Sequence, residues 1–594
     1  MVGPVFTREV ATAPRSWRLF FARALYVGVL FGLVSTAWLI LIGSQPVRTL
    51  GDLARFGSIV FGLLAPVQLA LAAAFSALLT AAAVAQEKDR RTLDLLLMTR
   101  LTNFELVVGR LLASMLTVVV LILAAVPLLM LLVLLGGVSH AQVARVCGVT
   151  LIAALAAGSL GSTIALWREK TFQSLAMTAV GLVVWLLAGE AVGQGVFGQS
   201  WAGVATATWA EAISPLRAIA AAARSTIESK PLVAAAPWLG DAVRLFMIGA
   251  GALAVLLNLV AILRVRVWNP TREARTLAEE EPPSANAADA ARSIHAAPGR
   301  AREVWDNPIL WREICTWAYG RKVVVVRLAY VALFAACSAA AGHALRNAEV
   351  GSYESTLAAA AQPLVPLLVL GMVLVNALAV TSLTNERDAR ALDLLLVTDL
   401  TPKEIIFGKL GGIFYNAKEM ILLPAALGVV CWWYDYVSTE NLIFLLLSFA
   451  VLTAFVAMLG IHAGMTYQES RSAVAVSLGT VFFLLVGVAV CMRMMVAFRT
   501  NFENQMLAFS TFMLGGGISL FIVLGRQNPS RALGWAMIPA PFWTFYAIVS
   551  FLEQDFGAAA LVTVLGYGFA TAAMLIPAVH EFDVATGRTT AKDL

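Results

Sequence analysis

Two charged runs of this chain are set between long apolar segments. Residues 87–112 read EKDRRTLDLLLMTRLTNFELVVGRLL, and residues 386–411 read ERDARALDLLLVTDLTPKEIIFGKLG. Over the 25 pairs from Glu87/Glu386 to Leu111/Leu410, 14 residues are identical at a constant offset of 299. A gapless match with that many polar identities is an internal repeat. Carboxylates and guanidinium groups interleaved with leucine suit ion pairing and docking. Metal or nucleophilic chemistry finds little support. His140, His295, His343, His462 and His580 form neither HExxH nor a cluster, and the five cysteines are scattered without metal or disulfide spacing.

Within each copy the pattern changes twice. Asp89 and Asp388 are placed to N-cap a short helix. Its apolar positions, Leu93, Leu96 and Leu97, recur as Leu392, Leu395 and Leu396, the i, i+3, i+4 face of an amphipathic helix. Thr102 with Glu105, and Thr401 with Glu404, then form capping boxes, and Pro402 takes the first helical position. The expected element is a short surface helix, a break, and a capped span that re-enters the bilayer. A solvated loop with lipid-facing leucines accounts for the leucines. It leaves the identities Glu87/Glu386, Arg91/Arg390 and Asp94/Asp393 unexplained.

The elements that carry these runs follow from composition. The chain has 594 residues, 60% hydrophobic and 13% charged, where a soluble protein has about a quarter charged. Apolar runs long enough to cross a ~30 Å hydrocarbon core recur throughout, which makes an all-α polytopic membrane protein. Spans are expected near 20–43, 58–85, 107–136, 146–167, 173–195 and 242–264, and near 323–342, 358–384, 405–432, 441–466, 472–492 and 556–579. Residues 264–307, charged and rich in Ala and Pro, read as a disordered linker. The repeat extends outward: GPVFTREV at 3–10 matches NPILWREI at 307–314, and Leu160-Gly161 pairs with Leu459-Gly460 at 299. Residues 1–263 and 308–594 thus form two parallel modules of six spans. The runs 503–524 and 535–552 either both cross or both turn back on the outer side, with a weaker first-half equivalent at 213–228.

Orientation follows from Lys and Arg in the short loops. Lys88, Arg90, Arg91, Arg100 and Arg110 face Arg48 and Arg55 across the first module; Arg387, Arg390, Lys403 and Lys409 face Arg346 alone in the second. Both charged stretches, both termini and the linker are expected in the cytoplasm, and the net charge of +6 fits loops beside anionic lipid rather than nucleic-acid binding. Lys418 and Glu419 fall inside the span 405–432, where the first half has Val119 and Val120. They are a candidate substrate path, set against a structural role, and as neighbours in sequence they should have different partners.

At this point the sequence resembles a family. A charged cluster followed by TLDLLL-x-T-x-LT-x-x-E, three apolar residues and G-R/K-L is similar to the signature of ABC-2-type permeases, the membrane subunits of ABC exporters. Arg91 and Arg390 replace the Gly that usually precedes Thr-Leu, and Ala391 replaces the Thr. The resemblance implies that Glu87–Leu101 and Glu386–Leu400 are coupling helices docked on separate ATPase subunits, two per chain. The leucine face would pack on the ATPase groove or back on the bundle, with Glu87, Arg91, Asp94 and their repeats setting polar register. ATP and Mg would be held by the partner: the one Gly-Lys here, Gly408-Lys409, is followed by Leu410, so the chain has no P-loop. The implied setting is the inner (plasma) membrane, with no cofactor or metal on this chain and no enzymatic activity of its own. A secondary transporter driven by an ion gradient, or an intramembrane enzyme, is the alternative; the former favours inverted repeats and mid-membrane carboxylates.

The topology predicts that a cysteine introduced at Ser284 is protected from membrane-impermeant thiol reagents in intact cells. Labelling from outside would reverse the orientation.

Overall fold

The computed structural model describes residues 4–12, 17–44, 49–196, 198, 200–201, 204–224, 241–269, 304–316, 323–346, 364–498, 502–525, 531–580 and 582. Among them, 13 helices are long and apolar enough to cross a membrane, and one bent pair adds a fourteenth. The first half comprises α1 (Pro4–Thr12), α2 (Trp17–Ser44), α3 (Leu50–Asp89), α4 (Thr92–Leu97), α5 (Asn103–Leu134), α6 (His140–Trp167) and α7 (Thr171–Gly193). A two-residue β-ladder follows, then α8 (Thr206–Ile213), α9 (Pro215–Ala222) and α10 (Ala242–Trp268). The second half comprises α11 (Pro308–Cys315), α12 (Val323–Arg346), α13 (Leu364–Asp388), α14 (Ala391–Leu396), α15 (Pro402–Asn416), α16 (Lys418–Trp433), α17 (Thr439–Thr466) and α18 (Ser470–Phe498). It closes with α19 (Phe502–Leu524), α20 (Arg531–Met537), α21 (Ala540–Leu552) and α22 (Phe556–His580).

Packing in the two halves repeats with the sequence. α3 packs on α6 and α7, and α13 packs on α17 and α18. The repeated Leu-Gly marks the close approach. A Cβ on Gly161 would stand 2.2 Å from the Ala77 carbonyl oxygen, and one on Gly460 would stand 2.5 Å from Ala379 Cβ. Small residues let helix backbones meet in this way where lipid offers no hydrophobic drive to association. Buried polar groups are matched at the same contacts. Ser76 donates to the Ala154 carbonyl (2.7 Å); Asn376 donates to Val456 O (2.9 Å) and accepts from Ser477 (2.8 Å). Between the halves, α3 packs on α18 and α13 on α7, contacts that interchange under the 299-residue shift.

One expectation changes, and one open alternative narrows. The span 405–432 is not one helix: α15 and α16 meet at Ala417 with a 59° bend, whereas α5 runs unbroken over 32 residues. The runs 503–524 and 535–552, open in sequence between crossing and turning back, both carry helices long and apolar enough to cross. The last carbonyls of α19, Val523 and Leu524, accept from Tyr467 Oη (2.6 Å) and His462 Nε2 (2.9 Å) at the end of α17 that adjoins the charged stretch. α20 and α21 return alongside α19, where Gly517 lies against the Ile538 backbone. In the first-half equivalent, 213–228, α9 has eight residues, about 12 Å, too short to cross, and 225–228 lie outside the described residues. Of the expected linker, 264–268 continue α10 and 270–303 lie outside the described residues.

Gly161→Val and Gly460→Val should each lower the thermal stability of the detergent-purified chain by about 1–3 kcal/mol through overpacking. Gly249→Val and Gly251→Val, where a Cβ meets nothing within 4 Å, are the neutral controls. Equal melting of all four would remove the close-crossing account.

Candidate functional site

Each repeated stretch forms one sharp turn between helices. α3 ends at Asp89, and Arg91 takes the left-handed conformation (φ 57°) before α4; α13 ends at Asp388, and Arg390 (φ 55°) precedes α14. A left-handed L-residue costs roughly 1–2 kcal/mol, so glycine is the residue at home here. Asp89 and Asp388 are therefore not N-caps. The preceding helix runs through them, the residues at the cap positions are Arg91 and Arg390, and those make no side-chain cap. The two aspartates instead accept from the first residues of α7 and α18: Asp89 from the Thr171 hydroxyl, and Asp388 from Ser470 Oγ at 2.5 Å.

Their neighbours bind elsewhere. Lys88 donates to the carbonyls of Leu166 and Arg168 (2.9 Å to the latter), and Arg387 to those of Tyr467 and Met465 (3.3 Å to the latter). A cation on the last carbonyls of a helix satisfies orphan acceptors and opposes the dipole. Glu87 pairs with Arg110, and Glu386 with Lys409 at 2.5 Å. Three consecutive side chains thus tie the turn to α5, α6 and α7 in one half, and to α15, α17 and α18 in the other. In the second half α11 joins in. Lys409 and Glu313, both 1% exposed, pair at 2.6 Å, and Arg312 contacts Glu386. Burial opposes the charge on Arg312, but the Glu386 and Glu313 carboxylates outweigh it and hold the guanidinium above its usual range. Close contact of α11 with Gly408, Gly411 and Gly412 makes this possible. Arg110, Lys409, Thr171 and Ser470 were absent from the sequence-based site. Their signal was the same offset: each partner pair is also 299 apart.

The short helices turn one face inward and one outward. Leu93 and Leu97 are buried in the core and Leu96 packs against it; Leu392 is buried, with Leu395 and Leu396 partly so. The leucine face therefore packs on the bundle. The outward face is also apolar, and it too repeats: Leu95 is 65% exposed and Met98 61%, Leu394 73% and Val397 85%. Arg91, Asp94 and Arg390 are exposed beside it; the Asp393 side chain is outside the described residues. Both capping boxes form. Thr102 N–H donates to Glu105 Oε2 (3.0 Å) and Thr401 N–H to Glu404 Oε2 (2.8 Å), each hydroxyl accepting in return from the glutamate N–H. Arg266 of α10 donates to the carbonyls of Leu97 (3.2 Å) and Leu101 (3.3 Å). Arg90 meets Asp388 at 3.2 Å, so the two copies touch.

Lys418 and Glu419 stand at the break between α15 and α16, and they have different partners. Lys418 Nζ lies 4.5 Å from the Tyr415 ring centroid, whereas Glu419 pairs with Arg327 at 3.6 Å. Arg327 is the fifth residue of α12 and also donates to Asn416 (2.8 Å). The pair thus lies near the start of α12, close to the end of the bundle that carries the short helices. Among the described residues, no group of three or more His, Cys, Asp or Glu could hold a metal. A cavity of about 50 Å³ lies between α18, α19 and α21, lined by Phe483, Gly487, Phe509, Phe512 and Phe545. None of the candidate site residues lines it. No protein-family model matches the chain, nor does any curated protein or solved structure.

Lys409→Met should destabilise the second half by about 3–5 kcal/mol, because Glu313 and Glu386 then share a buried site with Arg312 alone. Adding Glu313→Gln should recover most of the loss in thermal unfolding. Failure of the second change to help would mean that the lysine acts by packing.

Proposed function

We propose that the chain is the membrane permease of an ATP-driven exporter of ABC-2 type, with both termini in the cytoplasm of a multi-pass inner-membrane protein. Two separate ATPase subunits, which carry the ATP and Mg, dock on α4 and α14. The observation that carries this reading is the pair of outward apolar faces, Leu95 with Met98 and Leu394 with Val397, held at one end of the bundle on equivalent mountings. Apolar side chains exposed in repeat are the usual mark of a partner surface. The interchanging contacts of α3, α7, α13 and α18 support two parallel modules, the second enlarged by the hairpin of α19 with α20 and α21.

The division of labour follows from the contacts. Glu87 and Glu386, bound inward, fix the mounting; Leu95, Met98, Leu394 and Val397 meet the partner, with Arg91, Asp94 and Arg390 at the rim. A displacement of α4 is passed through the Arg91 turn to α3 and through the Thr102–Glu105 cap to α5. Lys88 and Asp89 pass it on to the junction of α6 and α7. The Glu419–Arg327 pair favours a structural role for Glu419 over a substrate path.

Leu95→Asp combined with Leu394→Asp should abolish copurification of the ATPase, or leave its hydrolysis unresponsive to the permease. Both side chains face solvent, so expression and membrane insertion should stay normal. Wild-type association in that variant would sink the docking assignment.

A further inference from the structure

The two docking faces are not equivalent, and the difference is one of charge. The turn that leaves each short helix carries Arg100 in the first copy and Asp399 in the second, at the same repeat position. Both are exposed, and neither forms an ion pair among the described residues. Two residues before them, Met98 and Val397 hold the equivalent exposed apolar position. Nearby, Phe104, 51% exposed, is replaced by exposed Lys403, and Arg90 by Ala389. The repeat keeps Leu95/Leu394, Arg91/Arg390 and Asp94/Asp393 in sequence, and Arg100/Asp399 alone inverts its charge.

Apolar anchors supply most of an interface's affinity, whereas rim charges set partner choice and association rate. A homodimeric ATPase would present one groove twice. A groove with a carboxylate opposite Arg100 would set that carboxylate against Asp399 at the other site, a like-charge contact that selects against the pairing. Resting on the permease reading above, we infer that the chain pairs with two non-identical nucleotide-binding subunits. One has an acidic residue beside its docking groove and sits on α4; the other has a basic residue there and sits on α14.

The experiment purifies the full-length chain from its native membrane and photolabels the associated polypeptides with azido-ATP, resolving them by mass. Two labelled polypeptides in equal amount are expected with the wild type. Arg100→Asp should remove one and spare the other, and Asp399→Arg should do the reverse. The neutral variants Arg100→Gln and Asp399→Asn should give intermediate loss, and their difference from the wild type should shrink as salt screens the wild-type pair. A single labelled species, retained equally by both reversed variants, overturns the inference while leaving the permease reading intact. Absence of any labelled polypeptide from the wild type overturns both.

Discussion

The clamp at Glu87-Lys88-Asp89 and Glu386-Arg387-Asp388 is the constraint on which the rest of the architecture turns. Three adjacent side chains point in three directions, since successive helical residues are about 100° apart. Each therefore reaches a different helix: a cation on the re-entering helix, the last carbonyls of α6 or α17, and the first hydroxyl of α7 or α18. Four long helices are thereby tied at one level. An apolar bundle has little else to set that level, because lipid-facing leucines slide along one another without penalty. Polar ties at helix ends also resolve the orphan donors and acceptors that every helix terminus leaves.

The glutamate of the clamp meets a cation in each half. In the first, Glu87 faces Arg110. In the second, Lys409 is sunk among Glu386, Glu313 and Arg312, and α11 is drawn onto the glycines of α15. A lysine 1% exposed is tolerable only with its charge answered on more than one side, which the two carboxylates and the Ser382 carbonyl provide. The break after Asn416 belongs to this arrangement. Asn416 donates back to Gly412 and across to Glu313 O, and accepts from Arg327, so the amide links α15 to α11 and α12 where the helix turns. The straight α5 has Thr117 at that position, which cannot make those three bonds.

Much of this was legible in the chain, and what was missed has physical causes. Capping boxes and the Leu-Gly crossing are local or strictly periodic signals, and Thr102, Thr401, Gly161 and Gly460 sit as those signals require. The helix break was not legible, since PKEIIFGKLGGIFYNAKEMILLPAAL is apolar enough throughout to pass for one span. The N-cap assignment of Asp89 and Asp388 failed because capping preference assumes that the preceding chain is extended. Here a helix ends two residues before another begins, and the reversal needs a left-handed residue in that position. The inward binding of Glu87 and Glu386 depends on partners 23 residues away, which a local pattern cannot name.

The left-handed arginines bear on how the mounting works. Arg91 and Arg390 could each be glycine at lower conformational cost, and both copies carry arginine instead. A glycine hinge between α3 and α4 would sample many orientations, whereas a non-glycine residue held at φ near 57° has one narrow well. Strain of this kind persists only where neighbours over-determine the geometry. The buried Leu93 and Leu392, with the clamp residues two to four positions upstream of the arginines, supply that determination. A stiff turn transmits the displacement of a short helix to the long one before it, where a flexible turn would absorb it. The same side chains that cost stability at the turn thus make it stiff.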